Sequence, residues 1–156
     1  MEIRHARIED AEAAHAVVRA AFEEYRGVLP VSVSALDENL EDVRKAISEG
    51  RVLVALEGAD AVGTVRYEVR PDLLYVGRLA VLPSHRGRGI GAALMEYVEG
   101  LAPSLERTRI QLATRQSIPG NIAFYERLGY RVVERVPHPR GPDITVWFEK
   151  ELGEPP

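Results

Sequence analysis

The chain has no cysteine among its 156 residues. That removes a disulfide framework, a thiolate metal site and a cysteine nucleophile together. It has no excess of positive charge: 20 Lys and Arg stand against 24 Asp and Glu, for a net charge of −4. That balance disfavours broad binding to nucleic acid or to an anionic membrane surface. It has no apolar run long enough to span a bilayer, and its polar start, Met1-Glu2-Ile3-Arg4-His5, does not read as a secretory leader. A cytoplasmic location is the expectation. Its four histidines, His5, His15, His85 and His138, are scattered, none at metal-ligand spacing from another, so no metal is expected. What is present is ordinary: 46% hydrophobic and 28% charged residues, in a length that suits one domain with one core.

The hydrophobic spacing gives an element order of β-α-α-β-β-β-α-β-α-β-β. Residues 2–8 read as an opening strand. Glu9-Asp10 acidifies the start of a helix with Ala13, Ala14, Val17, Val18, Ala21 and Phe22 on its apolar face, running as far as Tyr25. Ser34 is the expected cap of a second helix, which carries Leu36, Leu40, Val43 and Ile47 and ends at Gly50. Residues 51–57 and 61–69 read as a hairpin, and 73–82 as a longer strand with Gly77 marking a bulge. A helix over 90–101 and a strand over 108–114 follow. Pro119 opens a short helix that Gly129 stops, and 131–136 and 143–150 are the last strands. The pattern fits a mixed α/β sheet in a single domain over 1–150, with 151–156 expected to be a disordered tail.

The chemistry concentrates at Val81-Leu82-Pro83-Ser84-His85-Arg86-Gly87-Arg88-Gly89-Ile90-Gly91-Ala92-Ala93-Leu94-Met95. A strand stops at Pro83, a glycine-rich turn follows, and helical spacing begins at Ile90. The first amides of a helix have no partners within it and carry partial positive charge. Gly87, Gly89 and Gly91 leave those amides open, and Arg86 and Arg88 add full charges. This is a seat for a phosphate or pyrophosphate. A P-loop is excluded, because Ala92-Ala93 follow Gly91 where Lys and Ser or Thr are needed. Gly87-x-Gly89-x-x-Ala92 fits dinucleotide spacing, but the next strand ends in Arg115-Gln116 rather than in an acid for the ribose. A turn made only for packing is the plain alternative, and two arginines among three glycines speak against it.

At these residues the chain resembles a known family. Arg86-x-x-Gly89-x-Gly91 matches the Arg/Gln-x-x-Gly-x-Gly/Ala signature of the GNAT superfamily of N-acetyltransferases. A second block, Asn121-Ile122-Ala123-Phe124-Tyr125-Glu126-Arg127-Leu128-Gly129-Tyr130, is similar to that family's later helix and strand. The resemblance implies the acyl-CoA N-acyltransferase fold, an α/β (α+β) architecture with a mixed central sheet of about seven strands flanked by about four helices. It implies acetyl-CoA as co-substrate, held along Arg86, Gly87, Arg88, Gly89, Ile90, Gly91 and Ala92. It also implies direct transfer of the acetyl group to a primary amine, from a small molecule or a peptide. Assembly as a homodimer is left open.

Such a transfer poses three problems. The thioester carbonyl must be polarised, the amine must lose a proton, and the thiolate must gain one. For the first, the resemblance points to the backbone amides of Leu79, Ala80 and Val81. For the third it points to Tyr125, whose alternative role is packing on the core. Asn121, one helical turn before Tyr125, either contacts the donor or simply sits near the helix start. The base is harder to place, because strand 73–82 holds no carboxylate. Glu68 on the preceding strand is the candidate, with Asp143, Glu24 and His138 behind it, while His85 reads as a surface residue or donor contact. Phe22, Tyr25, Arg26, Tyr67 and Trp147 are candidates for the acceptor pocket. Glu24, Asp37, Glu38 and Glu68 are acids that could draw a cationic acceptor. The missing strand carboxylate keeps one alternative alive: a non-catalytic acyl-CoA-binding sensor or regulatory module.

Overall fold

The computed structural model describes residues 1–153. Its elements are β1 (Glu2–His5), α1 (Ala11–Phe22), α2 (Leu40–Ser48), β2 (Val52–Glu57), β3 (Asp60–Val69), β4 (Leu74–Val81), α3 (Ile90–Leu101), β5 (Arg109–Arg115), α4 (Asn121–Arg127), β6 (Arg131–Pro137) and β7 (Ile144–Glu151). The strands form one sheet in the order β1-β2-β3-β4-β5-β7-β6. Every neighbouring pair is antiparallel except β4 and β5, which run parallel. A parallel pair needs a crossover, and α3 supplies it. Among the described residues no helix is long and apolar enough to cross a membrane.

Both faces of the sheet are covered, which is why β2 is a nearly unbroken apolar run, Val-Leu-Val-Ala-Leu, rather than an alternating one. Leu53 and Ala55 face a core shared with Leu94, Met95 and Val98 of α3 and Tyr125 of α4. Val52, Val54 and Leu56 face the other way, onto Ala11 and Ala14 of α1 and Val43, Ala46 and Ile47 of α2. So α3 and α4 lie on one face, and α1 and α2 on the other.

The expected element order is found, with shifts that have local causes. The first helix ends at Phe22, and Glu23–Tyr25 tighten into a 3₁₀ turn. Ser34 does not cap α2. It begins a separate 3₁₀ turn, Ser34–Asp37, and the cap is Asn39, whose side chain accepts from the Asp42 amide while Asp42 accepts from the Asn39 amide. That reciprocal pair satisfies two otherwise orphaned donors. The expected tail also starts too early. Glu151 closes β7, and the Leu152 amide donates to the Thr108 carbonyl at 2.7 Å. Residues 154–156 lie outside the described residues.

The sheet's main irregularity is a bulge in β4. Thr64 pairs with Ala80 and Arg66 with Gly77, so Val65 alone opposes both Arg78 and Leu79. Gly77 flanks the bulge rather than forming it. The left-handed residue is Arg78, at φ 54°, a conformation uncommon for a side-chain-bearing residue. Two contacts hold it: its Nε lies 3.5 Å from a Glu38 carboxylate oxygen, and its Nη1 donates to Ser34 Oγ at 3.2 Å.

Candidate active site

The bulge is followed by a gap. β4 and β5 pair only at Leu74 with Ile110, Tyr75 with Gln111 and Val76 with Leu112. Both strands then continue, β4 to Val81 and β5 to Arg115, without a paired neighbour between them. In the antiparallel pairing of β4 with β3, the Leu82 amide donates to the Val62 carbonyl at 2.9 Å. Alternation along an extended strand then turns the Val81 amide toward the side β5 has left, with Leu79 in the bulge beside it. One backbone donor thus faces an opening in the sheet, next to the bulge.

Two cavities meet at that opening. The larger, about 620 Å³, runs from the glycine turn to α4. Among its lining residues are Leu79, Ala80 and Val81 of β4, then Arg86, Gly87, Gly89, Ile90, Gly91 and Ala92 at the start of α3, and Asn121 and Tyr125 of α4. The smaller, about 340 Å³, lies beyond β4 and includes Tyr75, Arg78, Thr114, Arg115, His138, Arg140 and Trp147. Phe22, Leu79, Ile118, Asn121 and Tyr125 line both. The structure therefore gathers eleven of the thirteen sequence-predicted site residues, Leu79, Ala80, Val81, Arg86, Gly87, Gly89, Ile90, Gly91, Ala92, Asn121 and Tyr125, around one continuous cleft.

The glycine turn hands the chain from β4 to α3 through left-handed backbone. Gly87 and Gly89 have φ of 78° and 79°, and Gly89 is the N-cap of α3. A Cβ at either position would meet nothing within 4 Å. Glycine is needed there for the left-handed backbone, not to avoid a neighbour. Gly91 is different: a Cβ would come 3.3 Å from Phe124 Cζ, so this glycine lets α4 approach the start of α3. Arg86 turns back to α1, donating to Glu24 at 2.6 Å and to the Ala21 carbonyl at 2.9 Å. It ties the end of α1 to the turn.

Tyr125 sits where the cavities join. Its ring packs edge-on to Phe124 at 5.0 Å and to Tyr130 at 6.0 Å, and lies 5.6 Å from Phe148. Burial pushes its phenol well above the ordinary tyrosine range, and the nearby Tyr75 acts in the same direction. The hydroxyl stays protonated and has no hydrogen-bond partner among the described residues. Asn121 donates from Nδ2 to Thr114 Oγ1 at 2.8 Å, pinning the first turn of α4 to β5 across the opening.

Two of the predicted residues lie elsewhere. Arg88 does not line the cleft. It is exposed, 3.8 Å from Glu57. Glu68 does not line it either. It faces a separate hollow with Glu49, Arg51 and Tyr67, and its nearest cation is Arg70 at 3.7 Å. The strand that carries it leads away from the opening, so Glu68 is not placed to serve as base. Nor are the other acids. Asp143 accepts from Ser117 Oγ at 2.5 Å and from the Ile144 amide at 2.8 Å, Glu24 is paired with Arg86, and Glu38 is buried between Arg66 and Arg78. Among the described residues no carboxylate lines either cavity. His138 does line the smaller one, its Nδ1 accepting from the Arg140 amide at 3.1 Å. His85, at the mouth of the larger, is held by Ser84 and Glu57.

Of the expected acceptor residues, Phe22 and Trp147 line the smaller cavity and Tyr25 the larger, while Arg26 pairs with Glu23 and Tyr67 is buried against His5. Tyr75, Arg78, Arg115 and Arg140 escape the sequence reading. Tyr75 had a signal, as an aromatic on the strand that leads into the turn. The arginines had none, because their convergence depends on how the β4 bulge, the end of β5 and the loop between β6 and β7 come together.

Comparison with known proteins agrees with this architecture. Residues 14–130 match the family model described as "Acetyltransferase (GNAT) family", and the chain belongs to that family. It is 30% identical over 94 residues to the uncharacterized N-acetyltransferase YjcF of Bacillus subtilis (strain 168), a match covering 60% of this chain and 64% of that protein. A 24% match to the UPF0157 protein YqkA of the same organism covers 32% of YqkA, so the chain spans less than two thirds of either relative. Among solved structures, an aminoglycoside 6'-N-acetyltransferase complexed with coenzyme A superposes with a TM-score of 0.80 at 20% identity, covering 100% of this chain and 99% of that one. The PaiA N-acetyltransferase of Thermoplasma acidophilum, in complex with coenzyme A, gives 0.78 at 20% identity, covering 96% and 98%. At such identities these structures establish the fold, a seven-stranded mixed sheet with four α-helices.

Proposed function

We propose that the protein is an N-acetyltransferase that moves the acetyl group of acetyl-CoA directly to a primary amine in a ternary complex. The observation that carries this reading is the parting of β4 from β5, with a glycine-turn cavity on one side, a second cavity on the other and Tyr125 between them. The residues fit the donor. The open amides after Gly87 and Gly89 suit a pyrophosphate, and the cleft is long enough to lead an extended chain from there to the splayed strands. Two coenzyme A complexes among the structural neighbours support the same assignment. A cytoplasmic setting goes with it.

Bound acetyl-CoA supplies a thioester, whose carbonyl carbon is open to attack and whose sulfur can leave. The Val81 amide, with that of Leu79 in the bulge beside it, is the donor to the carbonyl oxygen as negative charge builds on it. An amine in the second cavity attacks: the C–N bond forms, the C–S bond breaks, one proton leaves nitrogen and one reaches sulfur. Tyr125, still protonated, donates toward the sulfur. A thiol has a pKa of about 8.5, below that of an ordinary tyrosine, so this donation mainly stabilises the charge developing on sulfur. With no carboxylate lining the cleft, the amine's proton departs through water.

The test is thiol release from acetyl-CoA with a panel of primary amines, together with mass spectrometry of the product. Amine-dependent release and an acetylated product that resists mild hydroxylamine, as an amide does, are expected. Tight donor binding with no release across the panel would replace this reading with that of a donor-binding sensor.

A further inference from the structure

We propose that the acceptor is an amine that carries a carboxylate, a free amino acid being the simplest case, with Arg78, Arg115 and Arg140 holding that carboxylate in the second cavity. This deepens the acetyltransferase reading above and rests on it.

The cavity's charge is the argument. The chain as a whole is acidic, at −4. Yet three arginines line this cavity and, among the described residues, no aspartate or glutamate does. Their nearby counter-charges are already shared. Glu38 is engaged by both Nη atoms of Arg66, at 2.6 and 2.7 Å, before Arg78 reaches it at 3.5 Å. One carboxylate thus faces two guanidiniums. Arg115 lies 3.8 Å from Asp143 and gives two of its N–H groups to the Val31 and Ser32 carbonyls. The Arg140 guanidinium has no partner among the described residues, its backbone amide alone being bonded, to His138. Counting these six side chains, four cations meet two anions.

The three arginines come from separate parts of the chain; the side chains of two are held in place, and the third is carried on a packed loop. Arg78 is fixed by the bulge. Arg115, at the end of β5, clamps the segment before the 3₁₀ turn at Ser34–Asp37. The loop that carries Arg140 presses on that segment, since a Cβ at Gly141 would sit 2.8 Å from Val31 Cγ2. Guanidiniums present forked donors that match a carboxylate. Beside them, Tyr75 and Trp147, with ring centroids 6.2 Å apart, offer an apolar wall for an amino acid side chain. The acids that could draw a cationic acceptor lie off this cavity. Glu24 and Glu38 are consumed in ion pairs, Glu68 lies in another hollow, and Asp37 lines neither cavity.

The same charges serve the chemistry. A cluster of guanidiniums disfavours an ammonium ion beside it, so an amine seated there is pushed toward its neutral, nucleophilic form. That fills the role for which no lining carboxylate is found. The product keeps the acceptor's carboxylate, and only the amine's proton is lost.

The experiment measures thiol release at pH 8 with phenylalanine, leucine, their carboxamides, phenethylamine, spermidine and an aminoglycoside. Donor binding is followed separately by calorimetry with coenzyme A. The carboxamides are the critical control, because their amines are the weaker bases and a larger share is neutral. An advantage of the acid over its amide therefore comes from the carboxylate. We expect kcat/KM for an amino acid to exceed that of its amide by about 10- to 100-fold, the scale of one or two charge-assisted hydrogen bonds. In Arg140→Gln that ratio should fall by about tenfold, mostly through KM. A higher kcat/KM with an amide, spermidine or the aminoglycoside overturns this inference and leaves the transferase reading standing. Coenzyme A binding without thiol release from any acceptor overturns both.

Discussion

Tyr125 shows how one side chain can belong to the core and to a site at once. Its ring is packed by Phe124, Tyr130 and Phe148, and its residue is 9% exposed. By helical spacing alone it is an ordinary core aromatic. The residue, however, lines both cavities. The two roles make separable predictions. Tyr125→Phe keeps the ring and removes the donor, so the fold and the coenzyme A affinity should stay close to wild type. Turnover should fall by about 10²-fold, the usual scale for losing a positioned proton donor. Single-turnover kinetics, which isolate the chemical step, provide the check. Wild-type chemistry in a folded Tyr125→Phe protein would leave Tyr125 as packing alone. Asn121 is a contrast at the same scale. Its amide is spent on Thr114, so it positions α4 against β5 even where it also borders the donor cavity.

At the scale of elements, the junction of β4 with α3 carries the proposed donor site, and its legibility has a physical reason. Strand, proline, glycines and helix lie within one short stretch, so local rules of turn and helix start suffice to read it. Gly89 shows what those rules leave out. Crowding by a neighbour would be the obvious reason for a glycine there, but the structure leaves open space around it and asks for a left-handed backbone instead. An L-residue in that conformation costs about 1–2 kcal/mol. Gly89→Val should therefore lower stability modestly and tilt the first amides of α3. Coenzyme A affinity should fall by roughly tenfold or more, the scale of one lost charge-assisted hydrogen bond. Calorimetry on the folded variant decides it, and unchanged affinity would remove these amides from the donor site. The bulge of β4 was only half legible. Gly77 signalled irregularity, but the residue that takes the positive φ is Arg78, held by Glu38 and Ser34 from a distant turn. The place of Glu68 has the same cause: which end of β3 borders the opening depends on pairing across the sheet, and Glu68 lies off the cleft.

Over the whole molecule, three buried or half-buried carboxylates join elements that the sequence holds far apart. Asp10 ties the start of α1 to Arg4 of β1 at 2.7 Å. Glu38 joins the turn before α2 to Arg66 of β3 and Arg78 of β4. Asp143 joins the last hairpin loop to Ser117 and Arg115. Each pKa is moved by opposing causes. For Glu38, burial pushes the carboxyl up, and the Arg66 and Arg78 guanidiniums outweigh it, leaving it below the ordinary range. For Asp143, burial is outweighed by hydrogen bonds from Ser117 and Ile144 and by Arg115. For Asp10, the hydrogen bond from Arg4 dominates and lowers it outright. A carboxyl with a folded-state pKa below its unfolded value contributes stability above the unfolded value, and that stability is lost as pH falls through the folded one. Stability should therefore be level near neutral pH and decline from about pH 5 downward. Glu38→Gln tests the largest of these junctions. It leaves two half-buried guanidiniums without their counter-charge, at a cost of about 1–3 kcal/mol near neutral pH. It also removes one group that binds a proton more readily in the unfolded chain. Urea unfolding at several pH values should then show a lower plateau and a shallower acid decline in the variant. An equally steep decline in both proteins would mean that Glu38 is not among the groups whose protonation unfolds this chain.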